Sequence, residues 1–250
     1  MGSSVLFRSS VLFRPSRLVG ASAVVLSSLV LFSASAGATA ARTTSSVLAA
    51  AKAALAEQVS VHLVLTSRSR STPAAEHLWA DLGKNSGAEW ISEGTGKVAI
   101  RVTPHYGYIS GNKPGLETVF GMTAAQAMKV GRHWVAVKAG SRQYKALAGA
   151  MTISSVSSVL PPVRGTDLYA PTGSGQKVYT LKWHAKATSS QPELVSTLTI
   201  SAAAPTLPVR EMTTAPGQGE RTVLLSKWGE RVVVSAPPAR STIPLSRLSG

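Results

Sequence analysis

The chain has 250 residues, 44% of them hydrophobic, and no cysteine, so it can bury one sizeable core but can form no disulfide, thiolate metal site or cysteine nucleophile. Lys and Arg number 26 against 11 acids, a formal charge of +15, and every acid follows residue 40, so the excess survives loss of the N-terminal stretch. That balance suits anionic partners, but the charges are dispersed rather than clustered among aromatics, so no nucleic-acid partner is expected.

Residues 1–40 read as a secretory signal peptide. Arg8, Arg14 and Arg17 form a basic start, residues 18–32 are uncharged and apolar, and Ala36-Gly-Ala38 and Ala38-Thr-Ala40 are small-x-small cleavage patterns. The apolar run is short for a membrane span, and no cysteine can accept a lipid anchor. The expected location is therefore secreted or cell envelope, with an uncleaved anchor as the alternative.

A helix over 45–58 follows, capped by Ser45 or Ser46, with Leu48, Ala51, Leu55 and Gln58 on one face. Val59, Val61, Leu63 and Leu65 then alternate with polar or less apolar neighbours, the period of a half-buried strand. Residues 68–73 read as a polar loop. Strands over 76–82 and 89–93 are separated by residues 83–87, GKNSG, which have hairpin chemistry. Strands over 97–103 and 105–110 come next, the second presenting Tyr106 and Tyr108 on a common face, and residues 111–115 break the ladder. Thr123 and Gln126 make a capping box for a short helix that Gly131 stops. Residues 132–138 return to strand.

At residues 141–160 the period changes to that of a helical pair. Tyr144, Leu147, Ala148 and Met151 form one stripe; Ile153, Val156, Val159 and Leu160 form another, with Thr152 as the cap between them. Residues 161–175 read as loop, then strands over 177–186, 194–200, 207–213, 222–226 and 232–234. Residues 41–236 make one domain, and 237–250 form a Pro/Ser/Arg-rich flexible tail. The expected fold is α+β: a strongly curved antiparallel sheet, a half-barrel, with helices covering its concave face.

Catalytic patterns are sparse. No G-x-S-x-G occurs, and Gly94-Thr-Gly96-Lys97 lacks the residues of a phosphate loop. The five histidines each stand alone, without metal-ligand spacing. Glu89 and Glu93 share a strand face, and read as solvent-facing charges on an edge strand. No enzyme activity, cofactor or metal is expected.

The runs ISGNKPGLETVFGM (109–122), GRHWVAVKAGSRQYKALAGAM (131–151), LYAPTGSGQKVYTLKW (168–183), LPVREMTT (207–214) and SKWGERVVVSAPP (226–238) resemble, in layout more than in signature, the LprG/LppX and LolA-like family of exported lipid-binding proteins. Spacing alone makes the stripes at 144–160 ordinary core. The resemblance implies instead that Tyr144, Leu147, Met151, Ile153, Val156, Val159 and Leu160 roof an acyl-chain cavity. Its floor would include Trp134, Leu181 and Trp183, with Met122, Met128 and Met151 adapting to the guest. Many family members carry a cysteine at the cleavage site, which this chain lacks. The functional expectation is an exported, non-enzymatic binder or carrier of an amphiphilic lipid or other hydrophobic ligand, with an anionic membrane surface as a further partner. The alternative is a cell-envelope interaction module with a filled core, binding an anionic polymer, membrane surface or protein through its basic face.

Overall fold

Two antiparallel ladders meet on one central strand, β1 (Ser60–Ser69). On one side run β2 (Glu76–Gly83), β3 (Gly87–Glu93), β4 (Gly96–Val102), β5 (Tyr106–Gly111) and β6 (Trp134–Lys138). On the other side run β11 (Gly219–Ser226), β10 (Pro208–Ala215), β9 (Leu194–Ser201), β8 (Val178–Ala185) and β7 (Thr166–Tyr169). The structure, a computed structural model, describes residues 42–69, 75–170, 177–185, 193–217 and 219–248. Among these the sheet has 12 strands, is curved and does not close into a barrel. The expected signal peptide lies outside the described residues.

Alternation divides the sheet into two faces. Val61, Leu63 and Leu65 are buried on the inner face, with Leu78, Ala80 and Leu82 beside them, while His77 and Trp79 are exposed on the outer face. Helices cover the inner face because its apolar side chains need a second layer. α1 (Thr44–Ala56) starts at Thr43, whose side chain accepts from the Ser46 amide, and buries Val47, Leu48, Ala51 and Leu55. α4 (Arg142–Ala150) is capped by Ser141 and packs on β5 and β6. It sets Leu147 against the inner side of Gly107.

Beyond Met151 the chain forms a 3-10 helix, Ile153–Val159, rather than a second α-helix. Thr152 does not cap it; its backbone instead bridges to Gly83. The serines explain the tighter turn: the hydroxyls of Ser155, Ser157 and Ser158 each donate to a carbonyl three residues back. α3 (Ala124–Val130) has the expected capping box and ends at Gly131.

Four sequence expectations fail here. Residues 111–115 do not simply break the ladder: Asn112 accepts from the Gly115 amide and opens α2 (Lys113–Phe120), which packs on β4 and buries Leu116 and Phe120. Pro114 is no obstacle in a first turn, where its missing N–H has no helical partner. The expected loop at 161–175 contains β7. Residues 232–234 are not a strand but part of a strap across the outer face, where Ser60 donates to the Glu230 carbonyl and Arg101 to that of Ser235 at 3.2 Å. The expected flexible tail is built into the fold: β12 (Thr242–Pro244) pairs parallel with β6, and Leu248 is buried. No alternation announces a strand of three residues, so only the edge it meets creates it.

Candidate ligand-binding site

The register of the ladders sorts the inner face into rungs that cross from strand to strand. The rung at one end is polar: Glu93 lies beside Glu76, then Ser67, Arg221, Thr213 and Ser196, ending with Trp183 and Thr166. Most of it is half-buried. The next rung runs Val98, Ile91, Leu78, Leu65, Val223, Glu211, Leu198, Leu181 and Leu168, apolar at every position but one. Deeper still are Ile109, Ile100, Glu89, Ala80, Leu63 and Leu225, then Val137, Gly107, Val102, Gly87, Leu82 and Val61. Rungs on one face stand about 7 Å apart, twice the strand rise. The inner face is therefore a trough with apolar depth and a polar border.

The exceptional position in the first apolar rung is tied to the border. The Arg221 guanidinium lies 3.3 Å from both carboxylate oxygens of Glu211, which is mostly buried. The Thr213 hydroxyl lies 3.4 Å from the same carboxylate and 3.0 Å from that of Ser196. Glu211 is thus a satisfied charge.

Glu89 is not. It is fully buried, and neither carboxylate oxygen has a hydrogen-bond partner among the described residues. Burial first, and the nearby Glu76 charge second, push its carboxyl up to about 8. The expectation of solvent-facing charges on an edge strand fails because β3 lies between β2 and β4, and its inner face is covered. Alternation alone places Glu89 and Glu93 on one face; it does not say that helices close over that face.

Nine of the ten predicted site residues gather at the sheet–helix boundary. Leu147, Met151, Val156, Val159 and Leu181 are buried in the core, with Tyr144, Ile153, Leu160 and Trp183 packed against it. The Tyr144 hydroxyl also donates to the Thr103 carbonyl at 2.8 Å. Leu181 and Trp183 stand on successive rungs, Trp183 at the polar border. Trp134 is not among them. Val135 pairs with inward Ile109, so Trp134 faces outward, where its ring centroid lies 4.8 Å from the Arg101 guanidinium carbon. Met122 and Met151 are buried, but Met128 is 65% exposed, outside the core.

The outer face carries a feature of its own. Trp79 and Trp90 pair across β2 and β3, with ring centroids 6.0 Å apart and planes 12° from parallel. Beside them the rung continues through Ala99 and Ser110, whose small side chains leave a groove of about 690 Å³, with His77, Lys97 and Asn112 at its rim. Among the described residues, no group of three or more His, Asp or Glu side chains is arranged to hold a metal ion.

Glu89 and the polar rung escaped sequence reasoning for different reasons. The 83–87 hairpin already implies that Glu89 stands across from Ala80, on the apolar side. The polar rung joins residues from opposite ends of the chain and exists only once β1 pairs with β11.

No protein-family model matches the chain, and no curated protein matches its sequence. Among solved structures it is similar to LprF from Mycobacterium bovis, with a TM-score of 0.50 and 18% identity over 78% of this chain and 96% of that one. The lipoprotein LppX from Mycobacterium tuberculosis gives a TM-score of 0.46 at 15% identity, over 76% of this chain and 99% of that one. The chain shares the fold of LprF.

Proposed function

We propose that this protein is an exported, non-enzymatic binder or carrier of an amphiphilic lipid or similar hydrophobic ligand, held between the curved sheet and its helical cover. The observation that carries the reading is the layering of the inner face, apolar rungs bordered by one polar rung from Glu93 to Thr166. An amphiphile has the matching polarity: its chain lies along the apolar rungs and its head group stays at the half-buried border. Each methylene removed from water contributes roughly 0.8 kcal/mol.

The cover suits entry because it consists of short separate pieces. α1, α4 and the 3-10 helix close on the sheet in this structure, so uptake requires α4 and the 3-10 helix to lift about their junction at Met151–Thr152. The basic excess that remains beyond residue 40 draws the protein toward anionic lipid surfaces, where such a guest is found. Among the described residues no helix is long and apolar enough to cross a membrane.

A second reading is favoured by the same closed packing: a filled-core envelope module that binds an anionic polymer, membrane surface or protein through its basic face. Native mass spectrometry separates the two. The mature chain, secreted from a lipid-rich actinobacterial host, is expected to carry excess mass that organic extraction removes and identifies as lipid. An Ala148→Trp variant, which fills space under α4, is expected to emerge without it. A clean apo mass that stays unchanged after incubation with acylated lipids sinks the carrier reading. Salt-sensitive binding to anionic vesicles would then support the surface module.

A further inference from the structure

We infer that Glu89 is a ligand-contacting residue, donating a hydrogen bond from its protonated carboxyl to a neutral oxygen acceptor in the guest, such as the ester carbonyl of an acylated lipid. The inference rests on the interior reading above and adds a chemical class to it.

Glu89 sits two rungs inside the polar border, between Ala80 and Ile100 on the neighbouring strands. It is fully buried, with both oxygens unpartnered among the described residues. A buried polar group without a partner is costly to the fold, and an aliphatic side chain of the same length would remove that cost. Its chemistry therefore serves something other than the protein's own packing.

The surroundings set what that something is. The other charged residues on this face are Glu76, Glu93, Glu211 and Arg221; Arg221 is engaged by Glu211. On the cover, Lys52, Arg142 and Lys145 point to solvent. With acidic Glu76 as its charged neighbour, and burial acting in the same direction, the carboxyl keeps its proton at neutral pH. It then offers one O–H donor, directed into an apolar layer. A carbonyl on an otherwise apolar chain satisfies that donor at little cost, since the ester loses few hydrogen bonds on leaving the membrane.

The test compares methyl palmitate with octadecane, chains of similar length with and without an ester. Uptake from detergent micelles is read by native mass spectrometry on the mature wild-type chain, Glu89→Gln and Glu89→Leu. Wild type and Glu89→Gln, which keeps an N–H donor, are expected to retain methyl palmitate over octadecane. Glu89→Leu should hold methyl palmitate about tenfold more weakly, the scale of one hydrogen bond, with octadecane unchanged. Its apo form should melt at a higher temperature than wild type, the opposite of what a structural role for Glu89 produces.

Equal uptake of both probes by wild type overturns the inference and leaves the interior reading standing. So does wild-type affinity of Glu89→Leu for methyl palmitate, or a lower melting temperature of its apo form. Uptake of neither probe by wild type overturns both.

Discussion

The two faces of the same strands carry opposite anomalies. On the inner face of β3 a carboxylic acid is sealed among apolar side chains; on its outer face, one residue away, Trp90 stacks with half-exposed Trp79. A stability-optimised sheet would exchange them, burying the indole and exposing the acid. Each inversion departs from what packing alone favours. The inner one lies in a layered trough beneath a cover, the outer one beside an open groove. A guest that must be shielded from water is offered shielding only on the inner side.

The buried acid of the inner face should respond most strongly to pH. Glu89 is raised from its ordinary value to about 8 in the folded chain, so between those values the unfolded state loses a proton that the folded state keeps. Stability should therefore be greatest below about pH 4.5 and fall as pH rises toward about 8, by at most roughly 1.4 kcal/mol per unit, and level off above. Denaturant melts across this range, on wild type and Glu89→Gln, check it. A slope that persists in Glu89→Gln assigns the effect to other groups and removes the inner anomaly.

A smaller effect is expected at the contact that holds the cover down. A Cβ on Gly87 would lie 2.1 Å from the Met151 carbonyl oxygen, an approach no side chain can make. Gly87→Val should cost about 3 kcal/mol through overpacking, and should loosen the α4–3-10 junction first. Hydrogen exchange of residues 142–159 locates the loss. Protection there equal to wild type would mean that the cover is not anchored at this point.

The smallest effect belongs to the outer face. Trp79→Ala removes a half-exposed ring and one stacking contact, so the cost should be about 1 kcal/mol and lipid uptake should not change. If uptake falls as far as it does in Ala148→Trp, the outer groove is the binding site and the contrast between the faces is reversed.

Much of this molecule follows from local sequence alone. Val61, Leu63 and Leu65 alternate because a half-buried strand requires it, and Thr123 with Gln126 caps a helix wherever that helix packs. The stripe of Tyr144, Leu147 and Met151 marks a helix with one face to cover, and its cover is found on β5 and β6. Such features depend on neighbours a few residues away, so periodicity reveals them. Trp134 shows where periodicity stops: the alternation of 134–138 is plain, but which half faces inward depends on pairing with Ile109, and the outward half carries the tryptophan. The stretch around β12 has no period of its own, and Thr242–Pro244 becomes a strand only against the edge of β6. The polar rung is the extreme case, because Ser67 and Arg221 become neighbours only when the first strand and one of the last close the sheet around its centre. Periodicity and capping, short-range consequences of backbone geometry, carry the long strands and the amphipathic helices. Tertiary structure alone decided which residues share a rung and which face is sealed, because pairing across some 150 residues depends on the register of the whole ladder.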